Sequence, residues 1–189
     1  MDFNELQLIF GNDPNYEGPG ELAPFAQFLA PIGEVVIAFS RLERRLTWAI
    51  ESALNLSIED ANAIQESIYS VSTRTNLFLT IASTHVDNHS DHYTELQRIV
   101  KKIHQANDYR NFILHGPWTG VQRTIADGEV ESEAMKVKYA QLGLKKKDAK
   151  PRSHSTEEMR EKATEMLTLC REIQTWVLSV FPTAQNRVP

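Results

Sequence analysis

An all-α fold is predicted by this sequence: an antiparallel bundle of four to five helices, with a small β-hairpin inserted before the last helix. Three observations carry that expectation. Apolar residues recur at three- and four-residue steps through several long segments, as in helices that bury one face. Serine or aspartate heads three of these segments, where a helix needs a cap. One stretch alone, around Asp127-Gly128, has the turn signal and the flanking residues of paired strands.

Residues 1–31 hold Gly11, Pro14, Gly18, Pro19, Gly20, Pro24 and Pro31, and no long helix is expected to pass through them. Phe3, Leu6, Leu8, Ile9 and Phe10 make the stretch too apolar for a free tail. It reads as an arm packed on its own core or on a neighbouring subunit, with a helical turn or two around Pro24 to Leu29. A single helical domain is expected over 32–189. Its first helix begins at Ile32 and aligns Val35, Val36, Phe39, Leu42, Leu46, Ala49, Ile50 and Ala53 in one stripe. Glu43 borders that stripe. Its position suits an ion pair with Arg44 or Arg45, or a half-buried carboxylate that orients Arg110 or another active-site group.

Ser57-Ile58-Glu59-Asp60 caps a second short helix that reaches Ser67. A third, near Ser72 to His85, carries Leu77, Phe78, Leu79, Ile81 and Ala82. Arg74 lies in its first turn, an unfavourable place for a cation against the helix dipole. It reads as a solvated surface arginine, or as one that faces an acid or a phosphate. His85, His89 and His92, with Asp87 and Asp91, have the density of a nitrogen and oxygen metal site. Asn88 and Ser90 break the helical turn such a site needs, so a polar loop is the expectation, and no metal is assigned.

The fourth helix, Asp91 to His115, follows a cap at Ser90 or Asp91 and packs through Leu96, Ile99, Val100, Ile103, Ala106 and Ile113. Trp118 to Ile125 and Glu129 to Leu142 are expected to pair across Asp127-Gly128, a hairpin of about 118–142. Lys145, Lys146, Lys147, Lys150 and Arg152 then form a basic run, read as a solvated loop able to touch a phosphate backbone. Ser155 and Glu158 have capping-box spacing at the head of the last helix. Its stripe runs from Met159 through Cys170 to Phe181, where Pro182 ends it.

With 189 residues and 41% hydrophobic content, the chain can bury one sizeable core. A net charge of -5 argues against a protein that coats nucleic acid through broad positive potential, but permits a local basic groove. The lone Cys170 forbids an intrachain disulfide and fits a reducing compartment. No apolar run approaches the roughly 20 residues of a membrane span, and the start Met1-Asp2-Phe3-Asn4-Glu5 lacks a signal core. A cytoplasmic protein without membrane association is expected. Gly-rich phosphate loops, Cys-x-x-Cys pairs, Gly-x-Ser-x-Gly elbows and His-Glu-x-x-His helices are missing from the sequence, and no cofactor is expected.

The chemistry-bearing segment is Arg110-Asn111-Phe112-Ile113-Leu114-His115-Gly116. Arginine offers a fixed cation with planar donors for phosphate oxygens. Histidine exchanges a proton near neutrality. On an ideal helix Asn111 and His115 share a face, and Arg110 lies about 140° round from His115. Gly116 and Pro117 are expected to end the helix there, and Trp118 to pack over that end and hold His115 in place.

This segment resembles the signature of the HEPN superfamily (higher eukaryotes and prokaryotes nucleotide-binding domains): an arginine, a polar residue, and a histidine four to six positions after the arginine. The resemblance implies a metal-independent endoribonuclease, with Arg110, Asn111 and His115 catalytic and Glu43, Arg74 and Trp118 supporting them. It also implies pairing of two motifs in a homodimer, RNA or a nucleotide as ligand, and an antitoxin as a partner protein. Some members of the superfamily keep the fold without known cleavage, so a silent binding or interaction module stands as the alternative.

Overall fold

The computed structural model describes residues 26–115, 118–126, 129–136, 152–182 and 184. Most of the expected arm (1–25), the stop residues Gly116 and Pro117, the turn residues Asp127 and Gly128, and the lysines of the basic run lie outside the described residues. The chain divides into two compact units, Met1–Gly33 with His115–Arg160, and Glu34–Leu114 with Glu161–Pro189.

Five helices form among the described residues: α1 (Ala26–Leu54), α2 (Ile58–Ser67), α3 (Val71–Ser83), α4 (Asp91–Leu114) and α5 (Thr156–Val180). The all-α architecture is the one the apolar periodicity predicts. α1 nevertheless starts at Ala26 rather than Ile32, and Pro31 lies inside it. The proline is tolerated because it is still near the helix start, where its missing N–H costs a single bond, and its ring is buried.

Serine caps set the other starts. Ser57 Oγ accepts from the Asp60 N–H at 3.1 Å, and Ser70 Oγ accepts from that of Thr73 at 3.3 Å. Ser90 Oγ accepts from the Tyr93 N–H at 3.2 Å, and Ser155 Oγ from that of Glu158 at 3.0 Å.

α1 ends in a Schellman turn. Asn55 takes a left-handed φ of 53°, while the Leu56 N–H reaches the Glu51 carbonyl at 3.0 Å. A branched side chain there meets the following carbonyl, so Asn55→Val is expected to destabilise the protein by about 1–2 kcal/mol in urea titration, and Asn55→Gly to be neutral or stabilising.

In the second unit, Val35, Phe39, Leu42 and Leu46 of α1 are buried, as are Phe78 of α3, Leu96, Ile99 and Ile103 of α4, and Ile173 and Val177 of α5. Burial of such side chains is the main driving force of the bundle. Polar contacts then fix how the helices lie. Trp176 of α5 donates its indole N–H to the His92 carbonyl at 2.9 Å, while its ring meets Phe78 edge to face at 5.8 Å. One turn earlier, Glu172 binds Lys102 at 3.0 Å and Arg98 at 3.0 Å, so α4 and α5 run antiparallel. Arg98 also holds Glu95, and that hydrogen bond keeps the Glu95 carboxyl below its ordinary range.

Cys170 is buried in the stripe of α5, as the sequence implies. Burial pushes its thiol pKa up, against the pull of Arg45 and Arg41. The native protein is therefore expected to react with iodoacetamide far more slowly than the urea-unfolded chain.

The first unit contains the strands. β1 (Trp118–Ala126) pairs antiparallel with β2 (Glu129–Lys136), in register from Ala126 opposite Glu129 to Trp118 opposite Lys136, with an irregularity near Gly120. The hairpin thus exists; β2 is described as far as Lys136, and the rest of its expected extent, 137–142, lies outside the described residues. A third strand, β3 (Arg152–Ser155), pairs antiparallel with β2 and leads directly into α5. Its four residues, Arg-Ser-His-Ser, carry no apolar alternation that would mark a strand.

Candidate functional site

α4 carries the motif to its last turn. The helix ends at Leu114, and His115 follows it in an exposed bend that belongs to the first unit. Arg110 and Asn111 belong to the second unit and are half-buried. The Arg110 guanidinium lies over the Phe39 ring of α1 at 5.6 Å, within the range of a cation–π contact. Its Nη1 donates to Asn111 Oδ1 at 3.0 Å. The shared helix face of Asn111 and His115 is therefore not what engages the Asn111 carbonyl. Helix geometry alone would pair positions four apart, but His115 lies beyond the helix end, and the long arginine reaches its neighbour's carbonyl instead.

Glu43 and Arg74 are brought together, although they are 31 residues apart. Arg74 Nη2 donates to Glu43 Oε1 at 2.8 Å, and Nη1 donates to Thr47 Oγ1 at 3.2 Å. Arg74 is only 5% exposed, so it is neither a solvated arginine nor a phosphate contact. Glu43 correspondingly pairs with neither Arg44 nor Arg45, and its carboxylate is occupied by Arg74 rather than orienting Arg110. The physical reason is the position of Arg74 on the inward face of α3, where a cation must have an acid. Phe39, Glu43 and Thr47 form one row on α1 at four-residue spacing, so Arg110 and Arg74 approach the same row one turn apart. Asn107 Nδ2 donates to Ser72 Oγ at 3.4 Å and ties α4 to α3 beside it.

Trp118 opens β1, and its side chain lies outside the described residues. The histidine segment behaves as a loop. The His89 N–H donates to Asp87 Oδ1 at 2.8 Å, and the His85 ring meets Phe181 at 5.1 Å. Among the described residues no group of three metal-ligating side chains gathers, and no helix is long and apolar enough to cross a membrane.

Two participants escaped the sequence reading. Phe39, whose place in the apolar stripe of α1 marks it as core, is also the platform beneath Arg110. His154 of β3 is fully buried, and its Nδ1 lies 3.0 Å from Glu158 Oε2. Glu158 therefore uses its side chain on His154 while its N–H is capped by Ser155, which is half of the expected reciprocal box. Only the spacing of four between His154 and Glu158 hinted at this pair. Comparison with protein-family models, with curated proteins and with solved structures finds no match to the chain.

Proposed function

We propose that the chain is a metal-independent endoribonuclease of the HEPN type, in which Arg110 holds the scissile phosphate and His115 moves protons. The observation that supports this most is the setting of Arg110. Its guanidinium rests on the Phe39 face and bonds to Asn111, so its planar donors are held in place before any ligand arrives. His115 is exposed, as a group that meets substrate must be.

In the proposed reaction His115 takes the proton of an RNA 2′-hydroxyl, and the oxygen attacks the adjacent phosphorus. The bond to the next nucleotide's 5′-oxygen breaks, and that oxygen takes up a proton. The products are a 2′,3′-cyclic phosphate and a 5′-hydroxyl end. Arg110 stabilises the non-bridging oxygens as charge builds on them, and Asn111 positions Arg110. A second histidine is needed to protonate the leaving oxygen while the first acts as base. A symmetric homodimer that brings two motifs to one cleft supplies it, through an interface of at least about 1,000 Å². Control of such an enzyme by an antitoxin protein belongs to the same reading.

A second reading, a non-catalytic RNA- or nucleotide-binding or interaction module, draws on Asn111. Its carbonyl serves Arg110, which favours anion binding and does nothing for proton transfer. Incubation of the pure protein with mixed RNA in EDTA, beside His115→Ala, separates the two. Cleavage by the wild type alone supports the enzyme. Intact RNA that is nonetheless retained by the protein supports the module, and equal cleavage by both proteins rules out His115 as the active group.

A further inference from the structure

α1 presents another set of donors on a different face. Arg41, Arg44 and Arg45 place three guanidiniums within five residues, and among the described residues none of them has an ion-pair partner. Three other cations of the same unit are paired with acids, Arg74 with Glu43, and Arg98 and Lys102 with Glu172. The chain holds 25 acidic against 20 basic side chains, so acids are not in short supply.

At about 100° per residue, Arg41, Arg45, Trp48 and Ser52 fall within a band of about 60° on α1, roughly 150° from Phe39. Three atoms of that band, Arg45 Nη1, Trp48 Nε1 and Ser52 Oγ, are buried without a hydrogen-bond partner among the described residues. Trp48 is 3% and Ser52 6% exposed, so solvent does not satisfy them, and leaving such groups unpaired is costly. The Arg45 guanidinium packs over the Trp48 ring at 5.0 Å, which holds the cation at the head of the row.

We infer that this band is a phosphate-binding site, in which Arg41 and Arg45 take the phosphate oxygens while Trp48 and Ser52 donate to acceptor oxygens farther along the ligand. The arginine and indole groups can only donate, so the missing partner must be rich in acceptors, and the charge at the head of the row requires an anion. Guanidinium matches phosphate geometry better than it matches a point anion. Arg45 to Ser52 spans about 10 Å of helix, longer than one phosphate, which suits a nucleotide or a stretch of nucleic-acid backbone.

Thermal melting of the full chain at constant ionic strength tests this with three probes: inorganic pyrophosphate, a nucleoside monophosphate, and a short 2′-deoxy oligonucleotide that offers no 2′-hydroxyl for cleavage. A saturable rise in Tm is expected with at least one of them. Arg45→Gln should weaken the apparent affinity about tenfold or more, and Arg41→Gln, at an exposed position that tolerates change, should weaken it in the same direction. A response to the mononucleotide alone assigns a free ligand, and a response to the oligonucleotide alone assigns the backbone. No saturable rise with any probe, or unchanged affinity in both variants, overturns the inference. The binding loss is read at Arg41 and Arg45, whereas the ribonuclease reading stands or falls on cleavage by wild type against His115→Ala, so the two can fail separately.

Discussion

His115→Ala is expected to lower RNA cleavage by about 10²-fold or more, the scale of losing a proton-transfer group, and to leave the melting temperature nearly unchanged. The second half of that statement follows from position. His115 is exposed and lies just past the end of α4, while the buried residues of that helix, Ile103, Tyr109 and Ile113, are untouched. Arg110→Lys should act differently. It keeps the charge but loses the planar fork and much of the contact with Phe39, so cleavage should fall further than RNA binding. Single-turnover rates measured beside filter-binding affinities separate these two effects. A His115→Ala variant that unfolds would assign the residue to stability and remove it from the chemistry.

Glu43→Ala should be the most destabilising single change among the polar residues of the bundle, by about 2–4 kcal/mol in urea denaturation. It leaves the Arg74 guanidinium nearly fully buried and, among the described residues, bonded only to Thr47 Oγ1. The Glu43 side chain is itself 31% exposed, so water entering its place recovers part of the cost and keeps the figure below that of a fully enclosed pair. Removing the cation instead should be milder. Arg74→Met fills the same space with an apolar side chain and leaves the Glu43 carboxylate partly exposed, where water can take the place of its partner. Were Arg74→Met the more damaging of the two, the pair would be a net source of stability and not a constraint on how α3 lies against α1.

Local signals in the sequence were readable because the physics behind them is local. Ser57, Ser90 and Ser155 each cap the helix that follows, and the stripes of α1, α4 and α5 bury most of the residues their periodicity marks, with Val36 and Ala106 only half-buried. Where the outcome depends on distant residues, the sequence was silent or misleading. Arg74 in the first turn of α3 suits a solvated cation as well as one facing an acid or a phosphate, and only Glu43, 31 positions away, decides for the acid. β3 is polar throughout and becomes a strand only because β2 offers it an edge. Pro31 reads as a barrier, yet α1 passes through it. The motif itself was legible as a set of residues but not as an arrangement: Asn111 serves Arg110, and Phe39 beneath it carries no polar signal at all.

The chemistry of the cut ends tests the central claim most directly. RNA is incubated with the wild-type protein in EDTA, and the new termini are analysed by mass spectrometry. Attack by the 2′-hydroxyl, aided by Arg110 and His115, predicts 2′,3′-cyclic phosphate and 5′-hydroxyl ends, formed at the same rate with and without chelator. Ends bearing a 5′-phosphate and a 3′-hydroxyl, or cleavage that disappears in EDTA, would contradict it, because both mark a metal-activated water as the nucleophile.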